Sequence, residues 1–163
     1  MKKVIFLDRD GVINNDTGHY YIYKPDDFVL NLGLIDGLLK LKYNGYEFVI
    51  ISNQGGIARG IYSKAEVELV HQKLIGEFMR YDLSLLEIYY CPHHNEIEKC
   101  LCRKPESLMI EKAIARFAVD TKKSYFIGDS EKDMQAAKNA GIQGISIKSN
   151  QNIQTILSQI NND

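Results

Sequence analysis

The stretch Val4-Ile5-Phe6-Leu7-Asp8-Arg9-Asp10-Gly11 decides the fold of this chain. Its first four residues are hydrophobic, and three of them are β-branched or aromatic, which is typical of a buried strand in a parallel sheet. The carboxylates of Asp8 and Asp10 follow directly. Because open α/β sheets bind ligands outside the carboxyl ends of their strands, the two acids are candidates for chemistry. The simpler alternative is a polar turn in which Gly11 supplies the bend.

Segments typical of strands and of helices alternate along the rest of the chain. Further strands are predicted at residues 48–51, 86–90, 125–127 and 145–147, and helices at 34–43, from 63 onward, at 105–117, at 131–139 and near the carboxyl terminus. This alternation predicts the α/β class, a Rossmann-like three-layer sandwich with a central parallel sheet. The length of 163 residues favours a single domain over residues 1–163 without a large cap domain.

Composition and charge exclude several classes of partner. Hydrophobic residues make up 45% of the chain and charged residues 25%, which is ordinary for a soluble globular protein. The net charge of −1 provides no basic surface for nucleic acid. Hydrophobic runs are too short to span a membrane, and the start of the chain lacks the pattern of a signal peptide. We therefore expect a cytoplasmic monomer that binds neither nucleic acid nor a membrane.

Polar residues end three of the predicted strands, and together they suit a metal and a phosphate. Asp8, Asp129 and the main-chain oxygen of Asp10 would supply the oxygen ligands that Mg²⁺ prefers. Ser52 and the amides of the turn Asn53-Gln54-Gly55-Gly56 could grip phosphate oxygens, because glycine lets the backbone approach closely. Taken alone, this turn is more often just a loop, and its position after a strand favours the phosphate site.

All three cysteines lie within twelve positions, an odd and clustered set that suits metal binding better than disulfides. The pairs Cys91/His93 and Cys100/Cys102 would form the three-sulfur, one-nitrogen ligand set of a closed structural zinc site. Two alternatives stay open, namely that the cysteines are free buried thiols and that His94 replaces His93 as the ligand. Zinc would fix the loop so that Arg103, Lys104 and the amino end of a helix opened by Pro105 face the acidic edge of the sheet.

These motifs resemble the four motifs of the haloacid dehalogenase superfamily of phosphohydrolases. The resemblance rests on Asp-x-Asp-Gly-Val at residues 8–12, the strand-terminal Ser52, Lys104, and Gly-Asp-x-x-x-Asp at residues 128–133, and it covers nearly the whole chain. It implies that Asp8 attacks phosphorus to form an aspartyl-phosphate. It further implies that Asp10 serves as general acid and then as general base.

The resemblance assigns three more roles. Ser52 would bind the transferring phosphoryl group, Lys104 would neutralise it and orient Asp8, and Asp129 would hold Mg²⁺. Asp133 has two readings of equal weight. It caps the helix that starts after Ser130, or it is a partner of the metal site or of Lys104.

The segment from Cys91-Pro92-His93-His94 to Cys100-Leu101-Cys102-Arg103-Lys104-Pro105 narrows the resemblance to one branch of the superfamily. That branch contains the D-glycero-D-manno-heptose-1,7-bisphosphate 7-phosphatases and the histidinol-phosphate phosphatases. The heptose enzymes, which serve lipopolysaccharide biosynthesis, are the closer match. In them Arg103 would recognise the second phosphate, a site that suits a guanidinium. A loop that here contains Asp16, Gly18 and Tyr20 would contact the substrate.

Two departures from the family pattern bear on which substrate is predicted and not on which reaction is predicted. Gly55 stands where the family usually has a serine, and the loop between His93 and Cys100 is short, as in the histidinol-phosphate phosphatases. We therefore expect a Mg²⁺-dependent phosphatase of a phosphorylated sugar, with histidinol phosphate as the alternative substrate. An inactive, zinc-stabilised binding module is the alternative from another class.

Overall fold

A five-stranded parallel sheet forms the centre of the computed structural model, which describes residues 1–160. The strands are β1 (Lys3–Leu7), β2 (Tyr46–Asn53), β3 (Glu87–Cys91), β4 (Tyr125–Gly128) and β5 (Gln143–Ser146), in the spatial order β3-β2-β1-β4-β5. The four α-helices of this part of the chain are α1 (Leu34–Tyr43), α2 (Lys64–Arg80), α3 (Leu108–Phe117) and α4 (Glu131–Asn139). The predicted α/β class with a parallel sheet is confirmed.

Alternate residues of the strands enter two separate hydrophobic cores. Ile5 and Leu7 of β1 pack in one core with side chains of α1 and α2. Val4 and Phe6 point to the opposite face and pack with side chains of α3 and α4. Both faces are therefore covered by helices, which explains why these strands are continuous hydrophobic runs. The sandwich has the three predicted layers.

The order of the strands creates one switch point. From β1 the chain moves outward to β2 and β3, and it then returns to build β4 and β5 on the other side of β1. The connection after β1 leads to β2 on one side, and the connection after β4 leads to β5 on the other side. The carboxyl ends of strands at such a switch point are the usual ligand sites of open α/β sheets.

Two predicted elements differ in the structure. The helix predicted from Pro105 begins only at Leu108, because residues 103–106 form a turn closed by the bond from the Glu106 amide to the Arg103 carbonyl, 2.9 Å. The last predicted amphipathic helix is a 3-10 helix, Ile153–Gln159, that buries Ile153 and Ile156. The predicted single domain over residues 1–163 stays a prediction, and residues 161–163 lie outside the described part of the chain.

Candidate active site

The ends of β1 and β4 bring together carboxylates that are far apart in sequence. Asp8 follows β1 and Asp129 follows β4, and the Asp8 amide donates to the Ile127 carbonyl at 3.1 Å. Carboxylate oxygens of Asp8, Asp129 and Asp133 lie within 4.8 Å of one another. The predicted convergence of residues 8 and 129 is therefore present, and Asp133 joins them.

Glycine at position 11 lets the loop after β1 lie against Asp129. Its φ of +84° is the left-handed region that favours glycine. A β-carbon at this position would collide with the Asp129 carboxylate and would come within 2.6 Å of the Ser149 hydroxyl. The turn after β1 and the end of β4 thus pack in direct contact, which is possible because residue 11 has no side chain.

Lys104 links the carboxylates from the other side. Its ammonium lies 2.8 Å from Asp8 and 2.6 Å from Asp133, and it donates to the Ile51 carbonyl at 3.0 Å. The side chain is almost completely buried. Burial lowers the pKa of Lys104, but the two neighbouring carboxylates outweigh it and raise this pKa above its usual value. Lys104 is therefore a fixed positive charge beside Asp8.

One lysine does not balance three carboxylates. Burial raises the pKa of Asp8 well above its usual value, Lys104 opposes the shift, and Asp133 and Asp129 add to it. Burial also raises the pKa of Asp129, and a hydrogen bond from Ser149 opposes this. A divalent cation would stabilise the ionised forms. Clustered carboxylate oxygens are the ligands that Mg²⁺ prefers, so the residues present fit that metal.

Asp133 has both of the roles that the sequence left open. Its amide and carboxylate complete a capping box with Ser130 at the start of α4, with the Ser130 hydroxyl 2.9 Å from the carboxylate. Its other carboxylate oxygen forms the ion pair with Lys104. The side chain is only 1% exposed. One residue therefore joins the start of α4 to the cation beside Asp8.

Asp10 is held by donors from three residues. Both carboxylate oxygens receive bonds from the Arg9 guanidinium, and Asn14 and Gln54 each donate one more bond, at 3.0 Å and 3.1 Å. Arg9 is completely buried. Sequence reasoning missed Arg9 as a functional residue, because a charged residue between two acids is most simply interpreted as solvated.

The end of β2 and the residue that follows it hold three other residues of the site by their side chains. Asn53 donates to the Lys104 carbonyl at 3.1 Å and accepts from the Lys104 amide at 2.9 Å. Gln54 donates to the Ser52 hydroxyl at 2.8 Å and accepts from Tyr62 at 2.7 Å. Asn53 and Gln54 were predicted to bind substrate. In the structure their side chains fix Lys104, Ser52 and Asp10 in place, and contact with substrate stays a prediction.

The predicted substrate loop meets the site at one end. The Asp16 carboxylate accepts from Asn150 at 2.8 Å and from Ser149 at 3.4 Å, and Ser149 lies beside Asp129. Gly18 has open space around it, and Tyr20 is 84% exposed. Asp16 is therefore tied to the site, whereas Gly18 and Tyr20 lie farther out along the loop.

The three cysteines and His93 converge on one point. The Cys91 sulfur lies 2.9 Å from the Cys102 sulfur and 3.7 Å from the Cys100 sulfur, and His93 Nδ1 lies 3.2 Å from the Cys102 sulfur. Two sulfurs bound to one tetrahedral zinc ion are separated by about 3.8 Å. The cysteines form no disulfide. The Cys91–Cys100 pair matches this separation and the Cys91–Cys102 pair is closer, and the convergence of three sulfurs and one imidazole nitrogen fits a structural zinc ion with four protein ligands.

The loop that follows this cluster directs its two cations differently. Lys104 reaches Asp8, as predicted, whereas Arg103 donates to the His93 carbonyl at 3.0 Å. His94 turns away from the thiols, because its Nδ1 accepts from the Glu96 amide at 3.3 Å. A β-carbon on Gly55 would lie 2.8 Å from the Arg103 guanidinium, so the glycine provides room for it.

Comparisons with known proteins agree with this geometry. The HAD-hydrolase-like family model matches residues 101–162. D-glycero-α-D-manno-heptose-1,7-bisphosphate 7-phosphatase of Photorhabdus laumondii is 41% identical over 86% of this chain and 79% of its own length. The corresponding β-anomer enzyme of Haemophilus influenzae is 40% identical over 88% of this chain and 79% of its own length.

Solved structures lead to the same family. The crystal structure of D,D-heptose 1,7-bisphosphate phosphatase from B. bronchiseptica, complexed with magnesium and phosphate, matches with a TM-score of 0.83 and 31% identity. The match covers 96% of this chain and 86% of that one. On the identity, the coverage and the shared architecture, the chain belongs to the haloacid dehalogenase-like family of phosphatases, which are phosphoric monoester hydrolases.

Proposed function

We propose that the protein is a Mg²⁺-dependent phosphatase that removes the 7-phosphate of D-glycero-D-manno-heptose 1,7-bisphosphate through an aspartyl-phosphate intermediate. The reaction type is supported by one observation: Asp8, Lys104 and Asp129 lie around one point at the carboxyl ends of β1 and β4. The relatives named as heptose-bisphosphate 7-phosphatases support the substrate.

In the first step, an oxygen of the Asp8 carboxylate attacks phosphorus while the bond from phosphorus to the ester oxygen breaks. The carboxyl of Asp10 gives its proton to that oxygen, so the product leaves as an alcohol. Lys104 stabilises the negative charge near Asp8, and its ion pair with Asp133 keeps it there. The buried Ser52 hydroxyl is the proposed ligand of a phosphoryl oxygen.

In the second step, the Asp10 carboxylate takes a proton from water, and the resulting hydroxide attacks phosphorus. The acyl phosphate bond breaks, inorganic phosphate leaves, and Asp8 returns as a carboxylate. The same residue thus serves as acid and then as base. Its four donors hold it in one orientation for both steps.

The proposed enzyme would bind two metal ions, one for catalysis and one for structure. Asp8, Asp129 and the main-chain oxygen of Asp10 would hold Mg²⁺, which when bound offsets the charge of the carboxylates and of the phosphoryl group. Cys91, His93, Cys100 and Cys102 would hold Zn²⁺, which fixes the loop that carries Arg103 and Lys104. Four protein ligands leave no open position on zinc, so its role is structural.

Arg103 is the proposed ligand of the phosphate that is not cleaved. A guanidinium can bond a phosphate at two points. The bond to the His93 carbonyl anchors one end of its side chain to the zinc loop. Asp16, Gly18, Tyr20 and the amides of residues 53–55 would contact the rest of the substrate.

The experiment is a panel of phosphate esters assayed for phosphate release with Mg²⁺. The panel contains both anomers of the heptose bisphosphate, because both are represented among the relatives, and histidinol phosphate. Arg103→Ala should lower kcat/KM for the bisphosphate by about tenfold or more and leave monophosphates nearly unchanged. Arg80→Ala, at an exposed arginine of α2, is the matched control. A strong preference for histidinol phosphate would refute the substrate assignment.

The structure contains no α-helix within residues 1–160 that is long and hydrophobic enough to cross a membrane. We propose a monomer that works in the cytoplasm, where free thiols are kept reduced for zinc. Sedimentation of the purified protein with zinc tests the monomer, and fractionation of the cells that produce it tests the location.

A further inference from the structure

A buried chain of polar side chains extends from Asp10 into the hydrophobic core behind the active site. The Arg9 guanidinium donates to Asp10 Oδ1 from Nε at 3.1 Å and from Nη2 at 2.9 Å, and Nη2 also lies 3.0 Å from Oδ2. The Arg9 side chain has no exposure to solvent. A fully buried guanidinium needs hydrogen-bond partners, because an unpaired buried charge is costly.

The remaining donors of Arg9 have two partners. Nη2 donates to the Ile22 carbonyl at 2.6 Å, and Nη1 lies 3.2 Å from His71 Nε2. Arginine can only donate, so His71 Nε2 must be the acceptor and the imidazole must be neutral, with its proton on Nδ1. Burial, followed by the charge of Arg9, lowers the pKa of His71 to about 3, which agrees with a neutral ring.

His71 lies where its ring cannot turn freely. It is on the buried face of α2, between Val70 and Leu74 of the core, and only 6% of it is exposed. The Tyr90 ring of β3 packs against the imidazole edge to face, with the ring centroids 5.4 Å apart. The position of Nε2 is therefore set by packing, and it determines where Arg9 Nη1 must lie.

We propose that His71 and Arg9 are positioning residues, which hold the Asp10 carboxyl in the orientation that delivers its proton to the leaving oxygen. The inference rests on the proposed function, in which Asp10 is the general acid. His71 touches neither the substrate nor the carboxylates of Asp8 and Asp129. It acts by accepting one hydrogen bond from Nη1, which holds the planar guanidinium in the orientation in which Nε and Nη2 bond the oxygens of Asp10.

A comparison of two phosphate esters with different leaving groups tests this role. An alkyl phosphate such as a sugar phosphate releases an alkoxide, so breaking its P–O bond needs the proton of Asp10. The p-nitrophenolate of p-nitrophenyl phosphate is a weak base that leaves without a proton. Because kcat/KM reports the steps up to phosphoenzyme formation, a misplaced Asp10 lowers it for the alkyl ester and hardly for the aryl ester. A general loss of structure would lower both.

Two variants of His71 make a matched pair for the test. The amide oxygen of His71→Gln reaches about as far as Nε2 and can accept from Arg9, whereas the shorter side chain of His71→Asn cannot. General acid catalysis contributes about 10²- to 10⁴-fold. We therefore expect His71→Asn to lower kcat/KM for the sugar phosphate by about tenfold or more, and for p-nitrophenyl phosphate by less than about threefold. His71→Gln should keep both values within about threefold of the wild type.

Equal losses for both esters in His71→Asn, or full activity with the sugar phosphate, would overturn the inference. Thermal unfolding of each variant shows whether it is folded at the assay temperature. If His71→Asn does not fold, Arg9→Lys decides, because it keeps the charge but cannot bond both oxygens of Asp10. Its expected losses are those given for His71→Asn, and equal losses for the two esters would contradict the proposal.

Asp10→Asn separates the inference from the proposed function. If the acid role is correct, this variant loses kcat/KM selectively with the sugar phosphate, and all losses compared here are losses in kcat/KM. Selective loss in Asp10→Asn without selective loss in His71→Asn refutes the positioning role alone. Equal loss for both esters in Asp10→Asn refutes the general acid, and the positioning role with it. Asp8→Asn should abolish turnover of both esters in every case.

Discussion

The buried His71 should lower the stability of the protein at mildly acidic pH. Burial and the charge of Arg9 lower the pKa of His71 to about 3 in the folded state, whereas an unfolded histidine has a pKa of about 6.5. Between these values the unfolded chain binds a proton that the folded chain does not. The free energy of unfolding therefore falls as the pH drops below about 6.5, and the loss is complete near pH 3.

The magnitude follows from the two pKa values. Each pH unit between them costs about 1.4 kcal/mol, so His71 should contribute a loss of about 2 kcal/mol on going from pH 7 to pH 5. The assay is urea unfolding of the wild type and of His71→Gln at both pH values. His19, His93 and His94 are present in both proteins, so their titration cancels in the difference.

On going from pH 7 to pH 5, the free energy of unfolding of the wild type should fall by about 2 kcal/mol more than that of His71→Gln. If both proteins lose stability in parallel, His71 binds its proton as readily in the folded chain as in the unfolded chain. That result would refute the reasoning, because the bond from Arg9 needs a neutral acceptor on His71.

Two further predictions concern the loops that form the site. Gly11→Ala should lower kcat/KM by at least about tenfold, because its β-carbon collides with Asp129. Gly141→Ala, also at positive φ but in open space, is the control and should cost only about 1 kcal/mol of stability and no activity. Equal activity of the two variants would contradict this. Cys102→Ser should lower the free energy of unfolding by several kcal/mol, since structural zinc contributes about 10 kcal/mol in zinc-finger peptides, and it should lower kcat by releasing Lys104. A zinc chelator should lower the melting temperature of the wild type and have no effect on that of Cys102→Ser. A variant as stable and as active as the wild type would exclude zinc as the support of this loop.

The strands and the proximity of Asp8 to Asp129 could be predicted from the sequence because the sheet is parallel. Both faces of a parallel sheet are buried, so its strands are unbroken hydrophobic runs, and their polar ends lie at one edge. The cysteine spacing was equally informative, because the convergence of three cysteines and a histidine within twelve residues restricts the loop to few shapes. These features depend on local patterns and on one rule of topology.

The residues that hold Asp10 could not be predicted in the same way. Arg9 is adjacent in sequence to two acids, and its burial results from contacts with Ile22 and His71, far along the chain. One signal was present, since His71 lies on the hydrophobic face of α2 next to Val67 and Val70, where a polar residue needs a partner.

The error in the start of α3 has a local cause. Proline is favoured in the first turn of a helix, which suggested that Pro105 begins α3, but the turn over residues 103–106 precedes the helix. The amides of residues 53–56 were predicted to bind a phosphate, and that role stays a prediction. The side chains of Asn53 and Gln54 also bond Lys104 and Asp10, and the sequence did not indicate these bonds because they depend on segments that are about fifty residues away.

Mn²⁺ binding, followed by electron paramagnetic resonance, tests most directly whether the ends of β1 and β4 form one metal site. The wild type should bind one Mn²⁺ per chain in place of Mg²⁺, and excess Mg²⁺ should displace it. Asp129→Asn should weaken this binding by about tenfold or more, while Asp120→Asn, at the 3-10 turn before β4, should not change it. Binding to Asp129→Asn with the affinity of the wild type would contradict the account.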